Sequence, residues 1–208
     1  MPGVNEAIAR EFFEAQGFLI RQPIKYLVTA RPKQPNEEID FLAIRPGSGI
    51  EAPPTGAKVM AVSDLTSVTR AVVSVRGWHT ERLDPSKLSL APELVNFTQE
   101  PAMRRARQWL GEGPITRILC ISGLPSSPHL RQKTLQFLAE KGVDGILLFP
   151  LMLRTLIHLV ERNKNYEKSD LFQTLRILKI YKLLADEQME LFPPRRVRRR
   201  PVNSGDSP

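Results

Sequence analysis

Three residues of types that handle phosphate chemistry fall at strand-like spacing. Asp40 sits in the run Ile39-Asp40-Phe41-Leu42-Ala43-Ile44, and Ser74 and Arg76 sit in Arg70-Ala71-Val72-Val73-Ser74-Val75-Arg76-Gly77. Both runs are rich in Val, Ile and Phe and are bounded by Gly and Pro, which predicts two short strands. Side chains alternate between the faces of a strand, so Asp40, Leu42 and Ile44 share one face and Ser74 and Arg76 share another. If the strands pair, a carboxylate, a hydroxyl and a guanidinium meet on one side of a small sheet. A carboxylate oxygen is a ligand for a hard cation such as Mg²⁺. A guanidinium grips a phosphate but stays protonated at any working pH, so it cannot accept a proton.

This arrangement resembles the core of the PD-(D/E)XK nuclease superfamily, which carries an acid on one strand and acid-x-Lys on the next. The resemblance runs over residues 5–149. Asp40 stands at the first acid, and Ser74-Val75-Arg76 stands where acid-x-Lys belongs. It implies an α/β restriction-endonuclease-like fold, with a central mixed sheet flanked by helices and extra C-terminal helices. In that family a metal ion polarises the phosphate and makes hydroxide from water. Here Ser74 removes one carboxylate, and Arg76 keeps the positive charge without the basicity. Both changes move the site from cleaving a phosphate towards holding one.

The resemblance therefore implies a catalytically degenerate nuclease-like protein that binds DNA or RNA or serves an assembly, with no cofactor. The alternative is an active endonuclease with a rearranged site, in which Mg²⁺ binds at Asp40 and another acid replaces the missing one. Glu81, Asp64, Glu6 and Glu11 are the candidates. Some family members use an acid on the first helix as an extra ligand, which points to Glu6. An i,i+4 pair with Arg10 is the competing use of that side chain. A third reading is an interaction protein whose C-terminal helices dock a partner or a second copy.

The elements that would position these residues can be placed in order. Residues 5–16 form an amphipathic helix, with Asn5 as its cap, Ile8, Phe12 and Ala15 as its stripe, and Gly17 as its stop. Residues 18–28 form a strand or strand pair broken near Pro23. Residues 46–57 are a Pro/Gly-rich loop. Residues 58–69 fit either a short strand at 58–62 or a short helix capped by Asp64. Short helical turns follow at 83–96. Pro101 opens a helix over 100–110, which carries Arg104, Arg105 and Arg107 with Trp109. Arg104 and Arg107 project together, either as a phosphate-contacting face or as a solvated one. Residues 115–122 and 143–149 are apolar strands separated by a helix over 128–141, which predicts a parallel crossover. Helices over 151–162 and 171–185 complete the body, with Ser169 capping the second.

Trp78 and His79 follow Arg76 closely and either stack on a base or pack the strand end. No Gly-rich phosphate loop follows any strand, which sets aside ATPase and dinucleotide readings. His79, His129 and His158 are too scattered for a zinc site.

The chain has 208 residues, of which 41% are apolar and 25% charged, with a formal net charge of +8. That size suits one domain with a real core, over residues 1–192. Half of the charge excess lies beyond residue 193, where Arg195, Arg196, Arg198, Arg199 and Arg200 crowd together. This segment is expected to be a disordered basic tail, either merely solvated or adding salt-sensitive affinity for a polyanion. A single cysteine, Cys120, rules out an internal disulfide and fits a reducing cytoplasm. It lies in an apolar run and is expected to be buried. The start of the chain lacks a signal-sequence pattern, and the longest apolar run is too short to span a bilayer, so no membrane partner is expected.

Overall fold

The computed structural model describes residues 3–23, 39–47, 56–77, 79, 86, 88 and 91–184. Its centre is a six-stranded mixed sheet: β1 (Leu19–Arg21), β2 (Phe41–Ile44), β3 (Lys58–Val59), β4 (Arg70–Arg76), β5 (Thr116–Ile121) and β6 (Gly145–Leu148). The spatial order is β1-β2-β4-β5-β6-β3. The β1, β2 and β4 strands pair antiparallel, whereas β4, β5, β6 and β3 run parallel.

Among the described residues the helices that cover the sheet are α1 (Val4–Ala15), α2 (Glu100–Leu110), α3 (Pro128–Glu140), α4 (Phe149–Leu159) and α5 (Asp170–Ile180). On one face, Ile8, Phe12 and Phe13 of α1, Met152 and Leu156 of α4 and Leu175 of α5 pack with Phe41, Val73 and Cys120 of the sheet. On the other, Met103 and Ala106 of α2 and Leu138 of α3 pack with Leu42, Val72 and Leu119. Successive residues of β2 and β4 thus feed opposite cores, and a strand covered on both faces needs the unbroken apolar runs seen in the sequence. Phe13 anchors the first core. Its ring meets those of Phe18 and Phe41 edge-on, with centroids 5.3 and 5.4 Å apart, the arrangement favoured by the ring quadrupole.

Two local expectations change. Helix α1 begins one residue earlier than its supposed cap: Gly3 occupies the cap position, and Asn5 lies within the first turn. Residues 58–69 hold a shorter strand than expected, β3, at the far sheet edge, followed by a 3₁₀ segment, Val62–Ser67, whose cap position is taken by Ala61 while Asp64 lies inside its first turn. The Asp64 carboxylate accepts from the Ala61 N–H at 2.7 Å and closes that turn. Ser169 does cap α5, accepting from the Phe172 N–H at 3.1 Å. Cys120 is fully buried, and burial pushes its thiol pKa up, so it packs as a small apolar residue. None of the helices among the described residues is long and apolar enough to cross a membrane. The expected basic tail lies outside the described residues.

Candidate functional site

Asp40 precedes the first residue of β2, and the antiparallel register that pairs Phe41 with Val73 brings it opposite Ser74. The Asp40 N–H still donates to the Val73 carbonyl at 3.0 Å. Its side chain then replaces the ladder where β2 begins. One carboxylate oxygen, Oδ2, accepts from the Val75 backbone N–H at 2.6 Å and from the Arg76 guanidinium at 3.2 Å. The Ser74 hydroxyl lies 3.5 Å from the same oxygen. Asp40 is 5% exposed and the Arg76 side chain 19%. Arg76 also donates to the Val75 carbonyl at 3.0 Å. The three residues singled out from the sequence therefore meet at one end of the central strand.

The chemistry of this cluster follows from how its charges are spent. A buried carboxylate needs a partner, and here the protein supplies both a cation and a backbone donor. Ser74, at the position where the resemblance expects a second acid, is fully buried and adds a hydroxyl. None of the four candidate acids is shown to take its place. Asp64 is held by Lys58 at 2.8 Å and by Ala61, and those bonds keep its pKa below the ordinary 3.8. Glu11 accepts from the Ser169 hydroxyl at 2.7 Å. Glu6 is on α1, which packs against Phe41 and Val73, whereas Asp40 and Ser74 alternate with those residues along the strands. Glu81 lies outside the described residues. Among the described residues no three His, Cys, Asp or Glu side chains gather into a group that could hold a metal ion.

The flanking candidates separate. His79 is exposed and is fixed at the end of β4: its Nε2 lies 2.7 Å from Asn5 Oδ1, and its ring meets Phe149 edge-on at 4.8 Å. Trp78 and the five tail arginines, Arg195, Arg196, Arg198, Arg199 and Arg200, lie outside the described residues. On α2, Ala102, Met103, Ala106 and Leu110 are buried, which turns Arg104, Arg105 and Trp109 outward. Arg107 is partly covered and bridges Glu100 at 2.8 Å, so part of its charge is met within the helix.

Sequence reasoning missed Arg21. From the edge strand β1 its guanidinium lies over the Trp109 ring, 3.1 Å from the centroid. Nothing local links positions 21 and 109; only the packing of α2 against the β1–β2–β4 side of the sheet brings them together. The result is a surface on which cations and an exposed indole alternate.

No family model, curated protein or solved structure matches the chain.

Proposed function

We propose that this protein is a nuclease-like PD-(D/E)XK relative that has lost catalysis and binds nucleic acid. The observation that carries the reading is the state of Asp40. Its buried carboxylate is tied to Arg76 and to the Val75 N–H rather than set beside a second acid. The succession of helix, antiparallel β1–β2–β4, helix and parallel β5 is the order the resemblance implies, and it supports the reading. So does the outward basic face of α2, where Arg104 and Arg105 would meet phosphates and Trp109 offers a stacking surface backed by Arg21.

The test incubates the full chain with plasmid, linear, single-stranded and branched DNA in Mg²⁺ or Mn²⁺, and measures binding in parallel across a salt series. Binding without cleavage is expected, with affinity falling steeply as salt rises. Arg104→Glu with Arg105→Glu should weaken binding to every sequence and flatten the salt dependence. Absence of binding at low salt would sink the proposal. Cleavage that Asp40→Ala abolishes would establish an active nuclease instead.

A second reading has its own observation. The end of α5 leaves Ile177, Ile180, Tyr181 and Leu183 exposed. Such a surface suits a protein partner or a second copy, and light scattering over a concentration series tests self-association.

A further inference from the structure

The parallel half of the sheet has a point where its connections part. After β5 the chain turns into α3, whose Leu135, Phe137 and Leu138 pack in the core that holds Leu42 and Val72. After the adjacent β6 it turns into α4, whose Phe149, Met152 and Leu156 pack in the core on the opposite face. Neighbouring parallel strands whose following segments leave to opposite sides open a crevice beyond their carboxyl ends. In open α/β sheets that crevice is where ligands bind. Here it is a cleft of about 370 Å³, within the size range of small-molecule sites.

The lining sets the ligand's chemistry. Arg131 projects from α3, His79 stands at the end of β4, and Ser122 and Ser126 come from the loop after β5. Leu124 and Leu148 supply apolar walls. Among the described residues no carboxylate lines the cleft. Among the described residues the Arg131 guanidinium has no acidic partner. A cation with hydroxyl donors suits the several oxygens of a phosphate, and the apolar walls suit a flat organic group beside it.

We infer that this cleft, separate from the Asp40 cluster, binds a phosphomonoester carrying an apolar ring, either a free mononucleotide or the phosphorylated end of a nucleic-acid strand. Arg131 takes the phosphate, Ser122 and Ser126 add donors, and the ring packs on Leu124 and Leu148.

The experiment is calorimetric titration of the full chain with adenosine monophosphate and with adenosine. A parallel titration uses a short oligonucleotide with and without a 5′-phosphate. Arg131→Ala, an exposed position that leaves both cores intact, and Ser126→Asp, which puts a carboxylate into the cleft, are titrated alongside. The phosphorylated probe should bind at least about tenfold more tightly than its unphosphorylated partner, and both variants should lose that advantage. If only the oligonucleotide pair shows the effect, the phosphate arrives on a strand end; if only the nucleotide pair does, the ligand is free. Equal binding with and without the phosphate, affinity unchanged in Arg131→Ala, or no binding of either phosphorylated probe at millimolar concentration would overturn the inference. Loss of duplex binding with this binding intact would defeat only the nucleic-acid reading given above.

Discussion

Replacing Asp40 by alanine tests whether the cluster is a clamp or a site. The substitution strips the acceptor from the Val75 N–H and leaves the Arg76 guanidinium without its carboxylate. Removing one partner of a buried ion pair costs about 3–5 kcal/mol. Arg76 is 19% exposed and also donates to the Val75 carbonyl, so its charge keeps some solvation after losing this carboxylate and the low end, about 3 kcal/mol, is expected. Against a total stability of about 5–15 kcal/mol this is a large fraction. Urea unfolding followed by circular dichroism would measure it as a lower midpoint with unchanged slope.

Asp40→Asn keeps an oxygen for Val75 and should lose roughly half as much. The double variant Asp40→Ala with Arg76→Ala removes the guanidinium as well. It should be less destabilised than the sum of the two single changes by about 1 kcal/mol or more. A cost below about 1 kcal/mol for Asp40→Ala, or strict additivity in the cycle, would refute the clamp. So would a gain in stability, which is the signature of a residue kept strained for activity.

Three further outcomes are expected. A Cβ on Gly77 would fall 1.6 Å from the Asn5 side-chain nitrogen, so Gly77→Ala must displace that amide from His79 and should cost about 1 kcal/mol, the worth of one hydrogen bond, with little further loss in melting temperature when Asn5→Ala is added. Asp144 receives Arg117 through both Nε, at 2.9 Å, and Nη2, at 2.8 Å, and also accepts the Arg117 N–H at 2.8 Å; Asp144→Ala should therefore lower stability by about 3 kcal/mol in chemical unfolding, with Arg117→Met coupled to it. Because its bonds to Lys58 and Ala61 hold Asp64 below its ordinary pKa of 3.8, its contribution is full above that value and fades as pH falls through the lowered one. The difference in melting temperature between wild type and Asp64→Asn should accordingly be present at pH 6 and shrink towards pH 3.

The order of elements was legible because each helix and strand carries its own periodicity. Ile8, Phe12 and Phe13 mark a helix face, and the apolar runs of β5 and of β4, the latter interrupted only by Ser74, mark strands buried on both sides. The meeting of Asp40, Ser74 and Arg76 was legible for a related reason: alternation fixes which side chains share a face, and adjacent antiparallel strands have few registers that bury both apolar sets. The partnerships of single polar groups were not legible. Asn5 has the composition of a cap and instead holds His79, because the end of β4 arrives beside it. Arg21 and Trp109, or Arg117 and Asp144, find each other only through the packing of distant elements. The cleft at the ends of β5 and β6 depends on which face each helix takes, and no local pattern encodes that choice.

The route of the chain between β2 and β4 bears on how the protein comes apart. These two strands lie side by side, yet the segment joining them travels to the opposite border of the sheet, lays down β3 against β6, and returns. One stretch of backbone thus ties the β2–β4 pair to the far border of the sheet. The antiparallel and parallel halves cannot separate along a seam, because pulling either one free drags the shared strap from the other. Such a weave favours unfolding as a single cooperative unit over a stepwise loss of halves. It also delays assembly: the two-residue β3 can pair only after β6, made much later in the chain, has taken its place. Its backbone amides should be among the last in the sheet to gain protection during refolding and among the first to exchange in the native state.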